Sequence, residues 1–276
     1  MSFGIKSGEA GTGLTYGGYL KLPELLSLQH LLSSPPQPDE MLFIVIHQVY
    51  ELWFKELLNE IDAVIGSLNR DEPLEAHRLL GRCISIERVM VYQIDVLETM
   101  APQDFLNFRD HLMPASGFQS AQFREIEISS GLKELRFLGY FPTESDEHIK
   151  LQARLERPSL KEAFYGLLKR RGFDLTDEGG ADCPSGSNRI EQLLSIYQES
   201  AKHYELYLLV ESLIEYDEMF AMWRLRHIKM VERMIGSKTG TGGSQGAAYL
   251  RTTTDTMFFP ELWELRTYIS NKSSSS

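Results

Sequence analysis

Residues 41–68 read MLFIVIHQVYELWFKELLNEIDAVIGSL, and the spacing of their apolar side chains decides the fold class. Phe43, Ile46, Tyr50, Trp53, Leu57, Ile61 and Val64 recur every three or four residues, the period that lines one face of an α-helix. The Pro-rich stretch Ser33 to Asp39 (SSPPQPD) breaks the chain before it and offers Asp39 as an N-cap. Upstream, Tyr16 to Gln29 reads as an arm leading into a short helix. Downstream, Asp71-Glu72-Pro73 opens a second long helix from Leu74 to Met100, with proline in its first turn. Pro102 opens a short third helix through Phe105, Phe108 and Leu112. After a PASG loop at 114–117, Phe118 to Ile128 is a fourth. Helical patterns return at 159–171, run from Asn188 to Ile235 with a break near Tyr216, and start once more at Pro260. No alternating strand pattern or internal repeat interrupts the series. The expected class is all-α: one domain over 1–276, with an N-terminal arm (about 1–20) and a loose loop at about 174–188.

Composition narrows the function. The 276 residues include 28 Lys+Arg and 39 Asp+Glu, for a net charge of −11, which argues against a nucleic-acid partner. At 42% hydrophobic and 11% aromatic residues the chain can bury a sizeable core. Two cysteines, Cys83 and Cys183, support neither a disulfide framework nor a Cys-rich metal site. With no CxxCH, any haem is held non-covalently. The N-terminus has no apolar targeting core, and no run of 18 apolar residues occurs, so a soluble, cytoplasmic protein without a membrane partner is expected.

Three positions stand out chemically. His47 shares a helical stripe with Phe43, Tyr50 and Phe54, with Gln48, Glu51 and Lys55 on the polar face. Such an imidazole is either a hydrogen-bonded core residue or a functional one. His227 lies on the stripe Tyr216, Phe220, Trp223, His227, Met230, Met234, a wall suited to a flat hydrophobic cofactor whose iron needs one proximal His. A plain core histidine fits the same pattern. Arg109 falls on the apolar side of its short helix and needs an anion, either a protein carboxylate or a ligand's. The loop Gly240-Thr241-Gly242-Gly243-Ser244 is neither a Walker loop nor a dinucleotide fingerprint; its glycines let the chain fold tightly over a ligand. His111 and His148 read as surface residues.

Six stretches, LTYGGYLKL (14–22), DEMLFIVIHQVYELWFKELLNEID (39–62), LETM (97–100), FRDHLMPASGFQSAQFREIE (108–127), MWRLRHIKMVERMIGSKTGTGGSQG (222–246) and FFPELWELRTY (258–268), together resemble the tryptophan 2,3-dioxygenase family, in that family's order. The resemblance implies an all-α, haem-binding helical bundle, working as a homotetramer with haem b and O2 as co-substrate. It would open the indole ring of L-tryptophan to give N-formylkynurenine. By motif, His227 takes the place of the proximal iron ligand. His47 takes the distal place that hydrogen-bonds the indole N–H. Arg109 corresponds to the residue that binds the substrate carboxylate, and Thr241 to the one that contacts its ammonium and carboxylate. Phe43 and Phe105 match the indole walls, and Ser116 and Gly117 a loop beside the haem. Tyr16, Tyr19 and Leu20 match an arm that completes a neighbouring subunit's pocket.

Two departures from the family pattern are visible. The residues before LETM are usually an aromatic and then Ser; here Ile94-Asp95-Val96 stands, which reshapes the space near the haem edge and adds a charge. Gln245 follows GTGGS where a second Ser is common. Two other functions compete with ring opening. One is insertion of a single oxygen into tryptophan, or a substituted tryptophan such as the β-methyl compound, to give a 2-oxindole. The other is a haem-based tryptophan or gas sensor without turnover.

Overall fold

The computed structural model describes residues 13–176, 187–240, 250–251 and 253–269. Two very short helices, α1 (Tyr16–Tyr19) and α2 (Leu22–Leu25), precede the long α3 (Pro38–Asn69) and α4 (Pro73–Leu97). Then come α5 (Pro102–Arg109), α6 (Ala121–Ser130), α7 (Asp146–Glu156), α8 (Leu160–Arg170), α9 (Asn188–Gln198), α10 (Tyr204–Ile235) and α11 (Pro260–Glu264). Short 3-10 turns cover Asp110–Leu112, Gly117–Gln119, Leu135–Tyr140 and Leu265–Tyr268. Among the described residues there is no strand, so the fold is all-α.

The hairpin of α3 and α4 is built by its turn. Asp71 adopts the left-handed region at φ 66°, a conformation Asp tolerates better than most residues, and its carboxylate accepts from Arg171 Nε at 2.8 Å. Pro73 then starts α4 where no N–H is needed. Leu57, Ile61, Val64 and Leu68 are fully buried on the inner face of α3, each contributing about 1.5–3 kcal/mol of apolar burial. α4 packs between α3 and α10, while α6 and α8 cover the other side of α3.

The structure corrects three local expectations. Asp39 is not the N-cap: Gln37 holds that position, Pro38 is the first helical residue, and the Asp39 carboxylate accepts from Ala101 N at 3.0 Å. The chain between Asn188 and Ile235 breaks after Gln198, not near Tyr216. Tyr216 sits fully buried inside α10, its hydroxyl 2.7 Å from Ser130 Oγ. His148 is half-buried, with Nδ1 3.2 Å from the Leu138 carbonyl; His111 is exposed. Residues 177–186 of the expected loose loop lie outside the described residues.

Two buried acids punctuate the α4–α10 contact. Asp217 accepts from the backbone N–H groups of Phe258 and Phe259, at 2.9 and 3.0 Å, and from Trp263 Nε1 at 3.1 Å, so it clamps the segment leading into α11 onto α10. Glu87 is fully buried with neither carboxylate oxygen hydrogen-bonded. Burial first, then the charges of Asp217 and Glu215, push its carboxyl well above the ordinary 4.5. Among the described residues, no helix is long and apolar enough to cross a membrane.

Candidate active site

A cavity of about 310 Å³ opens between α3, α5, α6 and α10. Into it the helical stripes of the sequence deliver Phe43, His47, Tyr50 and Phe54 from α3, and Trp223, His227, Met230 and Met234 from α10. The short helix α5 adds Phe105 and Arg109, and the turn after it adds Ser116 and Gly117. The structure therefore brings together seven of the eleven residues singled out in the sequence: Phe43, His47, Phe105, Arg109, Ser116, Gly117 and His227. Thr241 lies outside the described residues. Tyr16, Tyr19 and Leu20 are exposed and do not line the cavity of their own chain.

His47 is set by its own helix. Its Nδ1 lies 2.7 Å from the Phe43 carbonyl one turn back, and a carbonyl can only accept, so Nδ1 carries the hydrogen. Nε2 is then left with a lone pair. His47 is exposed toward the cavity, and the desolvation its walls impose pushes the pKa below the ordinary 6.5, against the opposing pull of the Phe43 carbonyl and the Glu51 charge. The ring is a neutral acceptor. Phe43 packs against it at 4.0 Å between centroids, and Phe105 lies 5.8 Å from Phe43, giving an aromatic corner beside that acceptor.

His227 lies in a drier setting. Its ring stacks parallel to Trp223, 5.2 Å between centroids and 2° between planes. Burial, with the nearby His47 as a smaller cause, pulls its pKa down to about 4. A neutral imidazole with its lone pair available is the form that binds a metal. Among the described residues no cluster of three or more His, Cys, Asp or Glu could hold a metal ion. A single histidine of this kind suits a metal that arrives inside a cofactor and needs one protein ligand.

Arg109 is half-buried, less enclosed than the helical stripe implied, and donates Nη2 to the Thr239 carbonyl. Of the two anions expected for it, a protein carboxylate is not found among the described residues. Glu51, expected on the solvated face, instead borders the cavity and accepts from Gln122 Nε2 at 2.8 Å. Tyr50 donates to the Met90 carbonyl at 2.8 Å, and burial pushes its pKa to about 12, so the phenol keeps its proton.

The tryptophan 2,3-dioxygenase family profile matches residues 2–160 and 146–269. Tryptophan 2,3-dioxygenase of Nocardioides sp. (strain ATCC BAA-499 / JS614) is 49% identical over 270 residues, covering 95% of this chain and 97% of the relative. The enzymes of Herpetosiphon aurantiacus and Serratia proteamaculans are 45% and 41% identical, with 92% and 93% of this chain covered and 97% and 93% of theirs. The chain belongs to the tryptophan 2,3-dioxygenase family. It is thus a member of an oxidoreductase family.

In this family member Ile94 and Asp95, the departure before LETM, take separate places. Ile94 is buried and lines the cavity. Asp95 does not line the cavity but pairs with Arg226 on α10, and its charge still reaches Tyr50 in the cavity wall. Gln245 lies outside the described residues. Sequence reading also missed a charged cluster in the wall. Arg124 and Glu127 from α6 meet Arg224 from α10, with Glu127 Oε2 2.5 Å from Arg124 Nη1 and Oε1 2.8 Å from Arg224 Nη2. All three are buried and border the cavity. The available signal was the i, i+3 spacing of Arg124 and Glu127 and the place of Arg224 three residues before His227.

Proposed function

We propose that this chain is a single-domain haem b enzyme that uses O2 to open the indole ring of L-tryptophan, giving N-formylkynurenine. The observation that carries the reading is the pair of neutral imidazoles, His47 and His227, facing one apolar cavity from two helices. The residues fit a haem: His227 offers an unprotonated nitrogen that no described residue hydrogen-bonds, backed by a stacked indole. A Cβ added at Gly117 would meet nothing within 4 Å, so flat rings can approach that turn. When bound on His227, haem supplies the oxygen activation.

The rest follows from the chain's own groups. The aromatic corner of Phe43 and Phe105 takes the indole by apolar and edge contacts. His47 Nε2 accepts the indole N–H and fixes which edge of the ring is presented for reaction. A neutral imidazole of depressed pKa is a weak base for an indole N–H, so His47 orients the ring rather than removing its proton. Arg109 takes the substrate carboxylate as a bidentate partner, and Thr241 the ammonium side. The apolar lining excludes water while the reactants are held.

The exposed arm supports a homotetramer with arm exchange. Tyr16 and Tyr19 are 77% and 70% exposed, an unusual state for paired aromatics on a free surface. The buried free thiol of Cys83 suits a reducing cytoplasm. The test is mass spectrometry of the product made from L-tryptophan under ¹⁸O2. Two labelled oxygens without an external reductant are expected. A single labelled oxygen, or a requirement for two electrons per turnover, would overturn the dioxygenase reading.

A further inference from the structure

Residues 133–157, between α6 and α8, leave the bundle and return to it at one point. Lys133 Nζ donates to the Arg157 carbonyl at 2.7 Å and pairs with Glu162 in the first turn of α8, also at 2.7 Å, so the two ends of the excursion are clasped together. Gly131, at φ 135°, turns the chain out of α6 into this neck, and a Cβ there would meet Lys161 Cβ at 2.9 Å. Beyond the neck the excursion is a body of its own. Phe137 and Leu151 are buried with Ile128 of α6 in a small apolar core separate from the main one, flanked by Leu138, Phe141 and Leu155. His148 on α7, with Nδ1 3.2 Å from the Leu138 carbonyl, ties that helix to the turn at 135–140. A segment with adjoining ends and separate packing opens as a unit at lower cost than one threaded through the main core.

This body also closes one side of the cavity, which Leu132, Glu134, Arg136 and Phe137 border. Its inner rings, Phe137 and Tyr140, rest on the Arg124 guanidinium at 5.1 and 5.5 Å, a contact without directional bonds that can part and form again. Arg154 on α7 fastens the body to the bundle: its guanidinium pairs with Asp62 of α3 and, through Nε at 3.1 Å, with Glu125 of α6. We propose that residues 133–157 are a lid that swings about the Gly131–Lys133 neck to admit the porphyrin, with the Arg154–Asp62 pair as its latch. This rests on the haem reading above and adds to it the route by which the cofactor enters. A pocket walled by packed helices must open to take in a rigid planar group, and this stretch of wall is the one with its own small core. A latch that is broken on the way in and on the way out sets both rates without setting the affinity.

The experiment compares the full-length holoprotein with Asp62→Asn, which cuts the latch on an exposed carboxylate and leaves Arg154 paired with Glu125. Three quantities are read: amide hydrogen exchange by mass spectrometry, the rate of Soret-band transfer to excess scavenger protein, and the equilibrium partition of haem between the two proteins. In wild type, the amides of α7 and of the turn at 135–140 are expected to exchange together and faster than those of α3 and α4. In Asp62→Asn, exchange in this body and haem release should both accelerate about 10-fold, with the partition unchanged. Exchange of α7 as slow as that of α3 in wild type, which needs no variant to fold, would overturn the proposal. So would faster release matched by an equal loss in the partition, the mark of a weakened site rather than a gate. Quickened exchange in α7 with release unchanged would mean that haem leaves by another route, and would also overturn it. A wild-type protein that carries no haem and takes none up would overturn the haem reading itself, and this role for the lid with it.

Discussion

Replacing Glu87 by Met is expected to stabilise the protein at neutral pH. The carboxyl is fully buried in α4 against α10, neither oxygen has a hydrogen-bond partner, and burial holds its pKa well above 4.5. The native state therefore keeps a proton that the unfolded chain releases above about pH 4.5. For an acid whose pKa is raised on folding, stability is full below the unfolded value. It falls as pH rises toward the native one, by about 1.36 kcal/mol per pH unit. Over the interval from pH 4.5 to 7 that slope caps the loss at roughly 3 kcal/mol. Met has nearly the length of Glu, a similar helix propensity and no group to ionise. Glu87→Met should gain about 1–3 kcal/mol at pH 7, raising the unfolding midpoint by roughly 2–4 °C per kcal/mol. Glu87→Gln should also lose the pH slope but gain less, because its amide remains without partners. Urea unfolding followed by circular dichroism between about pH 5 and 8 measures both effects. Parallel stability–pH curves for wild type and Glu87→Met, or a less stable variant at pH 7, would refute the reasoning.

Other outcomes follow from the cavity. His227→Ala should purify helical but with little haem, and a wild-type Soret band would remove it from the iron. Arg109→Leu should weaken L-tryptophan binding by about 2–5 kcal/mol while costing little stability, since its partner among the described residues is one carbonyl. Unchanged discrimination between L-tryptophan and tryptamine in that variant would show that it never held the carboxylate. His47→Ser should keep measurable turnover and His47→Phe much less; total loss in His47→Ser with haem and substrate still bound would make proton removal obligatory. Deleting residues 1–20 should lower activity and assembly size together, and an active monomer would contradict arm exchange.

The two stripes that build the cavity were legible because helical periodicity is a local property: His47 and His227 fell on apolar faces and line one space. Even the tautomer of His47 is local, resting on a carbonyl four residues back. What failed to show in the sequence depends on partners far along the chain. Arg224 meets Glu127 across 97 residues, and no spacing rule connects them. Asp217 looks like one more acid on a helix until Phe258 and Phe259 arrive. Tyr216 suggested a break, yet α10 runs through it and its hydroxyl meets Ser130 from α6. Asp95 changed meaning for the same reason, since its partner Arg226 lies far along the chain on α10. The separate roles of the cavity residues came from family resemblance, because stripe and spacing alone left a core histidine and a ligand histidine equivalent.

The Asp217 clamp also bears on how the chain is made. A ribosome delivers α10, with His227 on it, before it delivers the Phe258–Trp263 segment whose three N–H groups satisfy Asp217. Until then a carboxylate on the central helix waits in an apolar setting without its donors, and α10 is penalised for docking early. Nascent chains therefore hold the inner helix loosely seated until Trp263 has emerged. Any rearranged gene that separates these two segments, such as a circular permutant opened after Ile235, inherits that order reversed: the donors emerge first and greet α10 as it leaves the tunnel.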